Sequence, residues 1–435
     1  MTCKVSTPNP SLLRRLAIEI FNNGAAQSPL SAHQPPSVEA ILDELRPNLT
    51  EYEEFYRHVH QNLEISGLES ETAKLAASHL RRLHFDVHTN IGGHGVVGVL
   101  RNGPRKTILI RAELDAFPIK EQTTVPYKST KRMVDRYGNE RPIMHACGHD
   151  MNMAALLRAS ALLRAARERW YGTLITLFQP DEEETGGARA MINDGLYERI
   201  PVPDIILGQH IVPFPVGQVA IKTGEVLVAA EAVNVRIIGG LCEDSLNPQL
   251  CVDPIPLSMR IISELEGFIH RELGGNNDVT VACWGFHAGV PGNDYVTHAD
   301  SLLDVKTIDP QIRLEAIELI EKKIQSDCKA AGTPKEPIIK FSVRAPLTKN
   351  DPDTAFESHF GTKSLPMRLT RACEDFSTLA ATHDIPYTYW NFGGSASTEG
   401  EVPTNHSPFS APCIEPTLKT GMDAMALAVL SFLLN

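Results

Sequence analysis

The sequence predicts an α/β fold into which a second, ferredoxin-like unit is inserted. Three observations carry that expectation. Up to about residue 230, short apolar runs alternate with segments of helical period, the pattern of a sheet with helices on its faces. Between Ala232 and Val343 the order changes to strand, helix, strand, strand, helix, strand. The first pattern then resumes near Ser364 and ends in an apolar helix.

The bulk properties set the frame. At 435 residues the chain exceeds one ordinary core, and 42% hydrophobic content is enough to fill two. A formal net charge of −12 argues against a nucleic-acid or anionic-membrane surface, which leaves small-molecule chemistry. No N-terminal run joins a basic start to a long apolar core: Leu12 to Phe21 is interrupted by Arg14, Arg15 and Glu19. A soluble, cytoplasmic protein without membrane partners is therefore expected. The 8 cysteines are dispersed and form no CxxC pair, so most are expected to be buried thiols, with Cys147 set apart by its neighbours.

Along the chain, residues 1–36 are rich in Ser, Pro, Asn and Gln and read as a mobile extension. From Ser37 three helical faces follow: Val38, Ile41, Leu42 and Leu45; Tyr52, Phe55 and Val59; Leu75, Ala76 and Leu80. Strands are expected at Val96 to Leu100, Thr107 to Ala112, Leu174 to Phe178 and Asp204 to Leu207, with a helix over Asp150 to Leu163. In the inserted unit, strands fall at Ala232 to Ile238, Val279 to Phe286, Ser301 to Thr307 and Ile338 to Val343. Its helices are expected at Ile255 to Leu265 and Pro310 to Ala330, and the last helix of the chain over Thr417 to Leu434. The division is thus 37–231 with 346–435 for the first domain, and 232–345 for the insertion.

The chemistry concentrates at strand ends, where open α/β sheets gather functional groups. Glu113 and Asp115 follow one strand, and the acidic run Asp181 to Glu184 follows another, just ahead of Gly186-Gly187. In Met144-His145-Ala146-Cys147-Gly148-His149-Asp150 an extended backbone would turn Cys147 and His149 to one side, a thiolate and an imidazole able to grip a divalent cation. His210 and the late Asn405-His406-Ser407-Pro408 add further donors. Singly, each is more often a packed or surface residue than a ligand; the combination points to a metal-dependent hydrolase. Adjacent carboxylates suit such a centre, one on the metal and one free as acid and base.

These motifs, together with Arg111-Ala112-Glu113-Leu114-Asp115-Ala116-Phe117-Pro118-Ile119, Phe178-Gln179-Pro180-Asp181-Glu182-Glu183 and Glu374-Asp375-Phe376-Ser377, resemble the amidohydrolase branch of the metallo-aminoacylase and carboxypeptidase family. That branch includes hippurate hydrolases, N-acyl amino acid amidohydrolases and plant hydrolases of indoleacetyl-amino acids. The resemblance runs from about Leu42 to the C-terminus. It implies a di-metal catalytic domain, a central mixed sheet flanked by helices, interrupted by a domain that commonly mediates homodimerisation. Carried over motif by motif, it makes Cys147, His149, Glu183, His210 and His406 the ligands of two divalent ions. It makes Glu182 the acid/base and Asp115 the supporting carboxylate, while Glu113 stands where peptidase relatives place a ligating His. Thiolate, imidazole and carboxylate together suit manganese, zinc, nickel or cobalt better than magnesium. The implied reaction is cleavage of a small-molecule amide such as an N-acyl amino acid.

The chain also departs from the family pattern. Asp244, in Gly240 to Pro248, stands where the family has a His that reaches the active site, often that of the partner subunit. A carboxylate there cannot donate to an oxyanion, and loss of one such donor costs about 100- to 1000-fold in turnover. Asn152 replaces a His and Lys306 a strand-borne Arg, whereas Asn293 keeps the family's substrate-side Asn. Two alternatives therefore stand beside amide hydrolysis: a member repurposed for a specialised metabolite, by amide formation or unusual cleavage, and a non-catalytic homologue.

Overall fold

The computed structural model describes residues 37–240, 252–275, 278–290, 292, 296–350, 359–396 and 402–434. The expected extension 1–36 and the expected substrate-side positions Asp244 and Asn293 lie outside the described residues.

The chain enters through three helices, α1 (Val38–Leu45), α2 (Leu49–Asn62) and α3 (Ser70–Arg82). The first two begin where Ser37 and Asn48 accept hydrogen bonds from backbone N–H groups that the first turn leaves free. Strands β1 (Asp86–Ile91), β2 (Gly95–Asn102) and β3 (Thr107–Glu113) come next, then a short hairpin of β4 (Arg132–Val134) and β5 (Glu140–Pro142). Helix α4 (His149–Ala165) leads to β6 (Gly172–Gln179), the small helices α5 (Gly187–Asn193) and α6 (Leu196–Arg199), and the long strand β7 (Ile205–Pro215). After β8 (Val219–Ile221) and β9 (Gly224–Leu227) the chain passes through β10 (Ala229–Ile238), α7 (Pro254–Glu272), β11 (Thr280–Ala288), β12 (His298–Thr307), α8 (Pro310–Ala331) and β13 (Ile338–Ala345). It returns by β14 (Thr348–Asn350), β15 (Ser364–Pro366), α9 (Thr378–Ala381) and β16 (Tyr387–Ser395), and ends in α10 (Ile414–Leu433).

Eight strands form one mixed sheet in the order β1-β2-β6-β3-β7-β16-β8-β15. Its centre is parallel, β6 to β3, β3 to β7 and β7 to β16. Such strands are covered on both faces and read as nearly continuous apolar runs, which is why Thr107 to Ala112 and Leu174 to Phe178 were legible. Alternation along the strands splits the core. Ile108, Ile110, Leu174 and Leu207 face a layer built on α1 to α4 and α10, whereas Leu109, Ile175, Leu177 and Ile206 face α5, α6 and α9. The central strand β16 was not anticipated: its aromatic run is bounded only by Pro386 and the pair Gly393-Gly394.

The second sheet has the order β11-β12-β10-β13, antiparallel throughout. Its element order is the expected β-α-β-β-α-β. Val233, Val235, Leu303 and Val305 pack on one side against Leu257, Ile261 and Leu265 of α7 and Ile320 and Ile324 of α8. Both helices start with an Asp cap and a Pro in the first turn, Asp253-Pro254 and Asp309-Pro310.

Two expectations need correcting. The stretch through Cys147 and His149 is not extended: Gly148 lies at φ 80° and caps α4, so His149 already belongs to the helix. Nor are most cysteines buried, for among the described free thiols only Cys328 is, while Cys283 is exposed and Cys147, Cys373 and Cys413 lie between. Among the described residues no helix is long and apolar enough to cross a membrane.

Candidate metal centre

The donors come from the strands of the large sheet and from the loops and helix start beside them. Glu113 ends β3, and Asp115 follows it; the acidic loop leaves β6; His210 sits within β7; Cys147 and His149 stand at the start of α4. The turn at Gly148 does what alternation was expected to do. Its positive φ swings the thiol of Cys147 and the imidazole of His149 toward β7, and a β-carbon at Gly148 would come within 2.4 Å of Ile211 Cγ2. His406 arrives from the loop before α10, itself at φ 65°, its ring stacked on Phe117 at 4.5 Å.

The donors converge as two groups that share Cys147, beside a third of His149, Glu182 and Glu183 and a fourth of Glu182, Glu374 and Asp375. Cys147, His149 and His210 bring ligand atoms within 4.8 Å of one another, and so do Cys147, Glu183 and His406. Cys147 Sγ lies 3.3 Å from His210 Nε2 and 3.2 Å from His406 Nε2. His406 Nε2 is in turn 3.2 Å from Glu183 Oε2. Glu182 joins from the side, Oε2 at 3.6 Å from His149 Nε2.

The surroundings orient these groups. His149 Nδ1 meets the Asp115 carbonyl oxygen at 2.9 Å and His210 Nδ1 the Ile211 carbonyl at 2.7 Å, so each ring donates from Nδ1 and turns inward an Nε2 that could ligate a cation once it has lost its proton. Asp115 accepts from the Ser66 hydroxyl (2.8 Å) and from the Glu183 N–H (2.9 Å), tying the acidic loop to β3. Asp115 Oδ1, His149 Nε2 and Glu183 Oε1 are buried without a hydrogen-bond partner, an arrangement that is costly for a purely structural cluster. Soft and borderline donors together with unpartnered inward atoms fit a pair of transition-type divalent cations.

The electrostatics agree with that fit. Burial pushes the Cys147 thiol up, but the charges of His210, His149 and His406 outweigh it and hold the thiol well below its ordinary range. Burial would lower the imidazoles, yet His210 is raised to about 9 and His406 to about 10, chiefly by the sulfur. Without a cation, protons on these rings balance a thiolate. Burial, reinforced by Glu374 and Glu183, drives Glu182 well above the usual carboxylate range.

Glu113 does not join either donor group. Its carboxylate is fully buried between Arg111 Nη1 and the Asn152 amide, the latter at 2.9 Å. Arg111 itself is fully buried and also meets Glu374 (2.8 Å), Asp375 (3.4 Å) and Gln179 (3.0 Å). A charge inside an apolar strand must be paired, and that was the available signal for this hub. Trp284, which gave no signal, is 52% exposed on an inserted-unit strand at a break in the β11–β12 register. It stacks on Arg344 at 4.3 Å and lies 5.4 Å from Lys306. These three share a cavity of about 740 Å³ with Glu182, Glu183 and His406.

The comparisons with known proteins decide the family. Residues 109–431 match the model of peptidase family M20/M25/M40. The chain belongs to this family. Membership in peptidase family M20/M25/M40 places it among hydrolases of amide bonds. It is 33% identical over 361 residues to a hippurate hydrolase of Campylobacter jejuni, covering 80% of this chain and 90% of that one. A thermostable carboxypeptidase of Saccharolobus solfataricus is 29% identical over 407 residues, 90% of this chain and 99% of its own. Among solved structures, a Bacillus subtilis protein described as a dinuclear metal binding peptidase of the M20 family superposes with a TM-score of 0.68. It is 24% identical over 88% of this chain and 98% of its own, a likeness of fold.

Proposed function

We propose that this M20-family chain hydrolyses the amide bond of an N-acyl amino acid or a related small conjugate. In this reading two divalent ions are held by Cys147, His149, Glu183, His210 and His406, with zinc, manganese, nickel or cobalt suited to the donors. The observation that carries it is the sharing of Cys147 between two donor groups with Glu182 alongside. One thiolate common to two clusters is the pattern expected of paired cations rather than of a single one. The names of the relatives, hippurate hydrolase and carboxypeptidase, point to the same bond type.

When bound, such cations polarise a carbonyl and make a water acidic enough to attack near neutrality. The chain's residues supply the rest. Glu182 accepts the attacking water's proton at its carboxylate and returns it to the departing amine nitrogen, which is otherwise too basic to leave. Asp115 keeps the His149 ring in place through its backbone carbonyl and pins the Glu183 N–H. Lys306 and Arg344, beside Trp284 in the same cavity, share the single buried carboxylate of Asp304 and so leave net positive charge for a substrate carboxylate. Residues 232–345 then act as an inserted domain that closes this wall, 37–231 with 346–435 as the catalytic domain, in a homodimer. By motif, Asn293 is assigned to substrate binding, and Asp244 occupies the sequence position where an oxyanion donor is usual, which lowers turnover on simple amides.

Glu182→Gln tests the reading. On metal-loaded protein and a panel of N-acyl amino acids, kcat should fall by about 100- to 10,000-fold while cation binding persists. Unchanged turnover in the variant would overturn it.

A further inference from the structure

The loop that carries the paired acids has a demanding backbone. Asp181 and Thr185 both sit at φ 54°, in the left-handed region, and they bracket Glu182, Glu183 and Glu184. Such residues persist where their surroundings over-determine them. Here the surroundings include the tip of the β4–β5 hairpin.

Arg136, at that tip, spans both ends of the acidic loop. Its Nη2 donates to Asp181 Oδ1 at 2.5 Å and to the Ser66 carbonyl at 3.1 Å, and its Nη1 lies 3.4 Å from Glu184 Oε2. The neighbouring Tyr137 hydroxyl also donates to Glu184 Oε2, at 3.2 Å. The guanidinium lies against bare backbone: Gly67 has φ 74°, and a β-carbon there would stand 2.6 Å from Nη2. Glu69 completes the seat by accepting from the Gly67 N–H (2.6 Å) and the Asp181 N–H (2.9 Å). The tip is ordered by its own turn chemistry, since Asp135 Oδ1 accepts from the N–H groups of Tyr137 (3.0 Å) and Asn139 (2.8 Å), with Gly138 at φ 85°.

Ser66 connects this seat to the centre, because its hydroxyl binds the same Asp115 oxygen that receives the Glu183 N–H. Neither Arg136 nor Tyr137 lines the cavity. An ordinary exposed ion pair would matter little. This one joins three loops, holding the strained Asp181 directly and Glu184, the neighbour of the strained Thr185. We infer that the β4–β5 hairpin is a brace whose Arg136 positions Glu182 and Glu183 without touching substrate. The inference rests on the proposed roles of those two residues.

The test uses the full chain with Arg136→Ala, Arg136→Lys and Asp135→Ala. Three quantities are read: calorimetric affinity of metal-stripped protein for Mn²⁺, kcat and KM on an N-acyl amino acid, and hydrogen exchange of the Glu183, Gly186 and Gly187 amides in the metal-free state. Arg136→Ala should weaken cation binding and lower kcat by about tenfold to a hundredfold, as for other residues supporting metal ligands, with KM nearly unchanged. Exchange at the three amides should rise. Arg136→Lys, which keeps the charge but loses the fork, should recover part of each effect, and Asp135→Ala should move each the same way by less. If Arg136→Ala fails to fold, these two milder variants decide. Affinity and exchange within about twofold of the parent overturn the brace. Glu183→Gln separates the two failures: if it leaves Mn²⁺ affinity unchanged the metal reading fails, and if it weakens binding while the Arg136 variants do not, only the brace fails.

Discussion

At the scale of single residues, buried ion pairs lie directly beside the elements that carry the donors. His60 is fully buried, with Nδ1 2.6 Å from Asp150 Oδ2 and Nε2 3.3 Å from Glu121 Oε1. Burial disfavours its charge, but the two carboxylates outweigh burial and raise it to about 9. Because the folded value lies above the unfolded one of about 6.5, this group's contribution is complete below pH 6.5 and is lost as pH rises through 9. Urea unfolding of the parent should therefore show stability falling across that window, and His60→Gln should flatten the slope. An equally steep slope in the variant would rule the imidazole out as its source. The candidate ligands were legible because each is an uncommon donor at a strand end or in a marked motif. Their convergence was implied by the family resemblance and not by the side-chain pattern itself, since it depends on Gly148 at φ 80° and His406 at φ 65°.

At the scale of elements, strand β3 illustrates what apolar periodicity reveals and what it conceals. Its run from Thr107 to Ala112 announced a buried strand, but Arg111 within it is the hub of Glu113, Glu374 and Asp375. Asp375 is raised to about 7, mainly by burial, so the cluster holds more acid than one guanidinium can offset. Arg111→Leu should cost about 3–5 kcal/mol, since it strands buried carboxylates. Denaturant unfolding would measure this, and a loss below about 1 kcal/mol would contradict the hub. Strand β16 escaped notice for the opposite reason. It lies between β7 and β8, carries Trp390 with its indole N–H on Gln209 Oε1 at 3.1 Å, and has weak boundary signals. The hairpin of β4 and β5 is short and exposed, so only its Asp-Arg-Tyr-Gly-Asn turn could have marked it.

At the scale of the whole molecule, the two layer patterns were the most readable feature, because each sheet buries its own apolar set and the order of elements leaves few topologies open. The centre ties distant parts of the large sheet together, with Cys147 and His406 in contact across 259 positions. A ligand that binds only the folded state stabilises it, by about 2.7 kcal/mol at roughly a hundredfold excess over Kd. Mn²⁺ or Zn²⁺ added to stripped protein should accordingly raise the thermal midpoint, and a chelator should reverse the rise. A midpoint indifferent to both would mean that these side chains hold no cation in the fold.

The position of His406 late in the chain has a bearing on biosynthesis. Cys147, His149 and Glu183 are made long before it, and all eight strands of the large sheet precede the residue that completes the second donor group. The group of Cys147, His149 and His210 is complete in sequence by residue 210, whereas the group of Cys147, Glu183 and His406 waits for a residue about two hundred positions later. Of the two groups that share Cys147, one is therefore confined to the stretch from the turn before α4 to β7, and the other is closed by the loop before α10.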